Sequence, residues 1–298
     1  MNTSRFAALI TLCITIAASI YFTLQPMHYR ETTPSIVRVG ILPDMSEENI
    51  RQRYDPLLDY LSEETGLEFR LVLPSDYDEL VQLFGEHELD LAYFGGLTYV
   101  QAHANYQAEP LVMRDVDTRF TSLFLVSQDN QAHDLADFKG KVFSFGSRLS
   151  TSGHLMPRHF MLTEEQIIPE EFFSTVRYSG AHDKTAYLVR DGEVDLGVAN
   201  SEIIMSMFRE GRLKENDLRV LSETPPYPDY VWVVHDDLDE DIKTQLRDAF
   251  LGLDTDDADH TRLLAGMGAK TFLPAGHREF LPLTRIAHDL GMLGTERR

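Results

Sequence analysis

From residue 36 onward, short β-branched or apolar runs alternate with amphipathic helical stretches, and this alternation constrains the fold more than any other feature. Residues 36–42 (IVRVGIL) read as a strand. Residues 46–66 read as a helix: Ser46 caps it, Ile50, Tyr54, Leu57, Leu58 and Leu61 form one apolar stripe, and Gly66 stops it. Pro56 inside the stripe predicts a kink or an irregular first turn. A second strand is predicted over 67–73, a short helix over 78–84, a third strand over 89–94 ending in Gly95-Gly96, and a helix over 97–106. Further strands are expected over 119–127, 141–145, 176–178, 194–199, 218–221 and 230–235, with helices over 183–190 and 202–209. Thr163-Glu-Glu-Gln166 has the pattern of a capping box and predicts another helix start. Three helices over 239–251, 257–267 and 278–290 close the chain. The pattern implies α/β layers with largely parallel sheets. Roughly 260 residues are too many for one such sheet, so two α/β lobes are expected. Residues 119–127 and 230–235 flank a self-contained βα segment and read as two crossings between lobes. One lobe then combines 31–122 with 231–298, and the other is 123–230.

Residues 1–30 follow a different pattern. A short start with one cation, Arg5, leads into 6–24 (FAALITLCITIAASIYFTL), which carries no charge. This reads as an export signal, with Ala17-Ala18-Ser19 as the small residues before a cut, or as a membrane anchor nearly long enough to span a bilayer. Either places the remaining chain outside the cytoplasmic membrane, in the periplasm or an equivalent space. The single cysteine, Cys13, follows Leu12 rather than the small residue of a lipid-attachment site. It also excludes an intrachain disulfide and a cysteine zinc cluster. A formal charge of -21 makes nucleic acid an unsuitable partner, because phosphate backbones would be repelled.

In open α/β sheets, ligands sit beyond the carboxyl ends of strands, where helix N-termini present free N–H groups. LSTSGHLMP (149–157) stands at such a junction. Ser150, Thr151 and Ser152 can each donate a hydroxyl hydrogen, and Gly153 lets backbone come close. That combination suits a tetrahedral oxyanion, and it equally describes an ordinary helix cap. Other polar groups fall at comparable junctions: Tyr77 in LPSDYDE, Tyr93 and Phe94 at the end of LAYFGG, His182 in YSGAHDK, Glu202 in VANSEII and Asp229 in PPYPDYVW. Each alone has a structural explanation, but together they fall where a cleft would form.

Across residues 35–295 the chain resembles the periplasmic substrate-binding proteins of phosphonate, phosphite and phosphate ABC importers. The most specific pieces are DLAYFGGLTYV (90–100), LSTSGHLMP (149–157) and SGAHDKTAYLVRDGEVDLGVANSE (179–202). The resemblance implies a two-lobed type II periplasmic-binding-protein fold, with the ligand cleft between lobes and two crossing strands as hinge. It implies that Ser150, Thr151 and Ser152 hold phosphonate oxygens, with Tyr77 and His182 as further contacts. It also implies that Glu202 and Asp229 match the acidic pair that takes the amine of aminoalkyl phosphonates. The family's strand ends in an aromatic pair whose second member is a ligand-touching tyrosine. Here that position is Phe94, which lacks the hydroxyl, and Tyr93 precedes it.

A hydrolase reading would pair Ser150 or Ser152 with His182, but no G-x-S-x-G elbow and no H-E-x-x-H cluster is present. The chain is therefore expected to be a binding protein and not an enzyme, to be monomeric, and to need no cofactor or metal. Its partners are a small phosphorus oxyanion and a membrane permease. The competing reading is a membrane-tethered sensor with a separate signalling partner.

Overall fold

The computed structural model describes residues 36–293. The export or anchor segment expected at 1–30 lies outside them. The described residues form two sheets. The first contains β1 (Ile36–Ile41), β2 (Glu68–Val72), β3 (Leu91–Phe94), β4 (Ala108–Arg114), β10 (Val231–His235) and β11 (Phe272–Pro274), in the order β11-β4-β10-β3-β1-β2. The second contains β5 (Ser122–Ser127), β6 (Val142–Phe145), β7 (Thr175–Tyr178), β8 (Leu196–Asn200) and β9 (Leu218–Glu223), in the order β7-β6-β8-β5-β9. The helices are α1 (Glu47–Thr65), α2 (Tyr77–Gly85), α3 (Gly96–Tyr106), α4 (Met156–Thr163), α5 (Pro169–Phe172), α6 (His182–Arg190), α7 (Ser201–Arg209), α8 (Glu240–Leu251), α9 (Ala258–Gly266) and α10 (His277–Asp289).

Both sheets are mixed rather than largely parallel. β1 runs parallel to β2 and β3, and β6 runs parallel to β7 and β8. β10 is antiparallel to β3 and β4, and β5 is antiparallel to β8 and β9. The cause is the route of the chain. After each crossing it enters the new sheet at the carboxyl ends of the parallel strands and must run back: Val231 starts opposite Phe94, and Ser122 starts opposite Asn200.

β5 and β10 each lie wholly within one sheet, so they are not themselves the crossings. Those are the segments 115–121 and 224–230, which hydrogen-bond to one another. Phe120 and Tyr227 exchange N–H···O bonds of 2.7 and 2.9 Å, and the Asp229 N–H donates to the Asp117 carbonyl at 2.9 Å. At their base Arg114 and Asp117 form a buried two-point ion pair, Nε to Oδ2 at 2.7 Å and Nη2 to Oδ1 at 2.6 Å. The Arg114 guanidinium also lies 5.8 Å from the Tyr93 ring centre and 5.6 Å from that of Tyr230.

Local signals account for most elements. Ser46 caps α1, Gly66 ends it in the left-handed conformation (φ 69°), and the expected stripe is buried; the helix runs unbroken through Pro56. The structure departs from the local reading in three places. Gln166 turns left-handed (φ 54°), so the capping-box pattern at 163–166 starts no helix, and α5 begins only at Pro169. β4 escapes the pattern because Pro110 interrupts it; the pairing with β10 shifts register there. β11 is only three residues long. The second sheet has its own apolar core of Phe124, Phe143, Phe145, Met161, Leu196 and Val198.

Candidate functional site

Four helical starts converge. One is that of α3, after β3. The second is the turn Thr151–Leu155, after β6. The third and fourth are α6, after β7, and α7, after β8. The Leu97 N–H of α3 donates to Thr151 Oγ1 at 2.9 Å, bringing a first-sheet helix onto the second. Ser150 Oγ lies 3.5 Å from His182 Nε2. The Asn200 N–H donates to His182 Nδ1 at 3.2 Å. Ser150, Thr151, Ser152, His182 and Asp229 are all buried.

The hydroxyl run does not begin an α-helix directly. Thr151–Leu155 forms one π-type turn, with the Leu155 N–H bonded to the Ser150 carbonyl at 3.0 Å, before α4. Such turns often mark functional sites, because the wide loop reaims side chains. Ser150 Oγ accepts the Gly153 N–H at 2.8 Å as the cap, leaving its own hydrogen to donate. Thr151 Oγ1 likewise accepts from Leu97, and its hydroxyl faces the Asp229 carboxyl, whose ionised form it favours. Ser152 Oγ has no partner among the described residues. Gly153 is required by space: a Cβ there would meet Ser150 Oγ at 2.9 Å, His182 Cε1 at 3.0 Å and Gly146 Cα at 3.1 Å.

His182 has a defined tautomer. Nδ1 accepts the Asn200 N–H, so the proton sits on Nε2, which faces Ser150. Burial pushes its pKa down to about 3, so the ring is a neutral donor. Tyr77 opens α2, and its buried hydroxyl lacks a partner among the described residues. Tyr93 and Phe94 diverge, as strand neighbours must. Tyr93 packs against Tyr54, Tyr230 and Trp232, with its hydroxyl buried and without a partner among the described residues, while Phe94 lies edge-on to Phe84 in the core beneath α2.

Asp229 sits on the start of α3. Oδ1 accepts the Gly96 N–H at 2.9 Å, while Oδ2 is buried without a partner among the described residues. Burial pushes its carboxyl up to about 7, against the pull of the Gly96 N–H and the Thr151 hydroxyl. Glu202 makes no side-chain hydrogen bond to this group among the described residues. It is half-buried in the first turn of α7, and a Cβ on Gly268 would come 3.4 Å from its Oε2.

Four residues of this region were not singled out from the sequence. The Asp44 carboxylate accepts the Tyr230 hydroxyl at 2.8 Å, that hydroxyl also accepts from Asn200 Nδ2 at 2.9 Å, and the Asp44 carbonyl accepts the His182 N–H at 3.1 Å. Burial pushes Asp44 up to about 6. Tyr227 shares a very short hydrogen bond with Ser122 and flanks the same crossing. Asp44 lies just past the carboxyl end of β1, and Tyr230 adjoins Asp229. The strand-end rule applied to β1 would have found the first.

No Lys or Arg among the described residues hydrogen-bonds to Ser150, Thr151, Ser152, His182 or Asp229. The site thus presents hydroxyl, imidazole and helix-start donors, a chemistry that holds oxyanions, beside the buried carboxyls of Asp44 and Asp229. Two sheets, two crossings and such a cradle define a two-lobed solute-binding protein. A family model described as the periplasmic substrate-binding protein of phosphonate ABC transporters matches residues 39–280, and the chain belongs to that family. The probable ABC transporter phosphite binding protein PhnD1 of Prochlorococcus marinus is 29% identical over 273 residues, covering 88% of this chain and 92% of that protein. The phosphonates-binding periplasmic protein of Escherichia coli is 24% identical over 293 residues, covering 96% of this chain and 86% of the other. The solved structure of PhnD1 from Prochlorococcus marinus in complex with methylphosphonate superposes with a TM-score of 0.82 at 28% identity, over 87% of this chain and 99% of that one. The family is a transport family of substrate-binding proteins, and membership places the chain outside the cytoplasm as the binding component of an importer. No helix among the described residues is long and apolar enough to cross a membrane.

Proposed function

We propose that the protein captures a small, amine-free phosphorus oxyanion, of the phosphite or methylphosphonate kind, and delivers it to an ABC permease in the cytoplasmic membrane. One observation carries this reading. Ser152 Oγ, the Tyr77 hydroxyl and Asp229 Oδ2 are buried polar atoms with no partner among the described residues, beside Ser150, Thr151 and His182. Buried polar groups are otherwise almost always paired, so these await a ligand. Ser150, Thr151, Ser152, Tyr77 and the His182 Nε2–H donate to the oxygens. Gly153 lets the turn close, Tyr93 walls the site, and Phe94 supports it from the core. Asp229, its carboxyl raised to about 7 by burial, is protonated on the acid side of neutrality and there donates rather than repels.

An ammonium group needs an ionised carboxylate with a free oxygen, and Asp44 already accepts from Tyr230. Glu202 lies against Gly268 and Asp229 faces Gly96, so the arrangement favours a ligand without an amine. In this reading the lobes, 31–122 with 231–298 and 123–230, close about the crossings. The protein works as a monomer, without catalysis.

A thermal-shift panel of phosphite, methylphosphonate, phosphate, 2-aminoethylphosphonate and sulfate tests this. A ligand at about 100 times its Kd adds ~2.7 kcal/mol, which raises the Tm by roughly 5–10 °C at this size. Phosphite or methylphosphonate should give the largest shift. A larger one with 2-aminoethylphosphonate overturns the amine-free reading, and a response to none of the phosphorus compounds overturns the whole proposal.

A further inference from the structure

A second cluster lies at the opposite end of the first sheet. β10 runs back from the cleft, so Val231 is opposite Phe94 and Val234 is opposite Leu91. Its last residue, His235, therefore lies beyond the start of β3, far from the oxyanion cradle. His235 is 4% exposed, and its Nε2 is buried without a partner among the described residues. Phe84 stacks on the imidazole at 3.9 Å with the rings 10° apart, and His87 lies over it at 4.1 Å and 17°. His87 follows α2 in the left-handed conformation, φ 56°, which non-glycine residues adopt uncommonly. Its carbonyl accepts from Arg38 Nη2 at 2.6 Å, which holds the turn in place. Asp237 stands two residues beyond His235. One ligating atom from each of His87, His235 and Asp237 lies within 4.8 Å of the others.

We propose that His87, His235 and Asp237 bind one divalent transition-metal ion of the zinc class. Two imidazoles and one carboxylate are donors for zinc, nickel or copper, not for calcium or magnesium, which take all-oxygen shells. His235 supplies the fixed ligand, because Phe84 and the sheet hold its ring. Its buried Nε2 has no partner among the described residues and is the atom left to ligate. His87 and Asp237 are exposed and can rotate toward it. Tetrahedral zinc bonds of about 2.0–2.1 Å set ligand atoms roughly 3.3 Å apart, so the two exposed side chains close by at most about 1.5 Å, and the His87 ring swings out of its stack so that both ring planes meet at the ion. Three protein ligands leave a fourth position for water. The ion would tie the turn after α2 to the turn after β10 without touching the cleft.

The test uses the full chain without a histidine tag, stripped of metal by a chelator and titrated with zinc by calorimetry near neutral pH. The expected result is about one equivalent bound with a micromolar Kd. His87→Asn, which tolerates the left-handed backbone, and Asp237→Asn should each weaken zinc at least about tenfold. Both variants should keep the metal-free Tm. Absence of binding at about 100 μM zinc overturns the site, as does an affinity unchanged in both variants.

Discussion

Asp229→Asn separates the two roles its carboxyl could play. Burial holds the group at about 7, against an ordinary value of 3.8. On the proposed closure about the crossings, opening the cleft admits water and moves the carboxyl back toward that value. The closed state therefore carries more protons between pH 3.8 and 7, and closure strengthens as pH falls through that window. From pH 8 to pH 5.5 this linkage raises affinity by about 30-fold, or about 2 kcal/mol. Asn is nearly isosteric, keeps an oxygen for the Gly96 N–H and cannot titrate. Other groups also move with pH. Asp44, raised to about 6, acts in the same direction; His182, lowered to about 3, acts oppositely, because its closed form sheds a proton that a solvated imidazole would hold. Both are common to wild type and variant, as is the ligand's own titration, so they cancel in the ratio. Calorimetric titration of methylphosphonate into both proteins at the two pH values gives that ratio. It should grow about 30-fold in favour of the wild type on acidification. A ratio independent of pH would falsify the protonated-donor role and return Asp229 to the status of an ionised cap.

Other outcomes follow from the geometry. Ser152→Ala should weaken oxyanion binding by about 10- to 150-fold, the loss of one charge-assisted hydrogen bond, and leave the ligand-free Tm unchanged because Ser152 Oγ has no partner among the described residues; undiminished affinity would remove Ser152 from the cradle. Gly153→Ala forces a methyl group against Ser150 Oγ, His182 and Gly146, so both binding and Tm should fall; intact binding in a titration would mean the turn yields freely. Glu202→Gln should change the affinities for methylphosphonate and 2-aminoethylphosphonate alike, and a selective loss of the aminated ligand would restore Glu202 as an amine contact. Asp117→Asn leaves the Arg114 charge buried and uncompensated, and should destabilise the protein by about 3–5 kcal/mol in denaturant melts; a change below about 1 kcal/mol would show that the crossing relaxes around it.

Much of this protein is written locally. Ser46 and Gly66 bound α1, its apolar stripe faces the core, and polar residues stand where strands meet helices. These are effects of near neighbours, so a linear reading captures them. It fails where distant segments decide. β4 carries Pro110, and only the displaced register of β10 lets that proline sit in a sheet. The pattern at 163–166 meets the rule for a helix start, yet the chain turns left-handed at Gln166. The antiparallel strands reflect the side from which the crossings deliver the chain.

The candidate site divides in the same way. Sequence alone determined the alternation of strands and helices and the hydroxyl run with its glycine, because each depends on residue types at short spacing. Tertiary structure decided what those groups do. It turned Asp229 onto the start of α3, where loss of water pushes up its carboxyl. It set the His182 proton on Nε2 through an amide eighteen residues away, and it joined Asp44 to Tyr230 across the chain. It also set His87 on His235, a pairing no motif encodes. Protonation state and hydrogen-bond direction depend on burial and on partners brought together by folding, and those are properties of the packed chain.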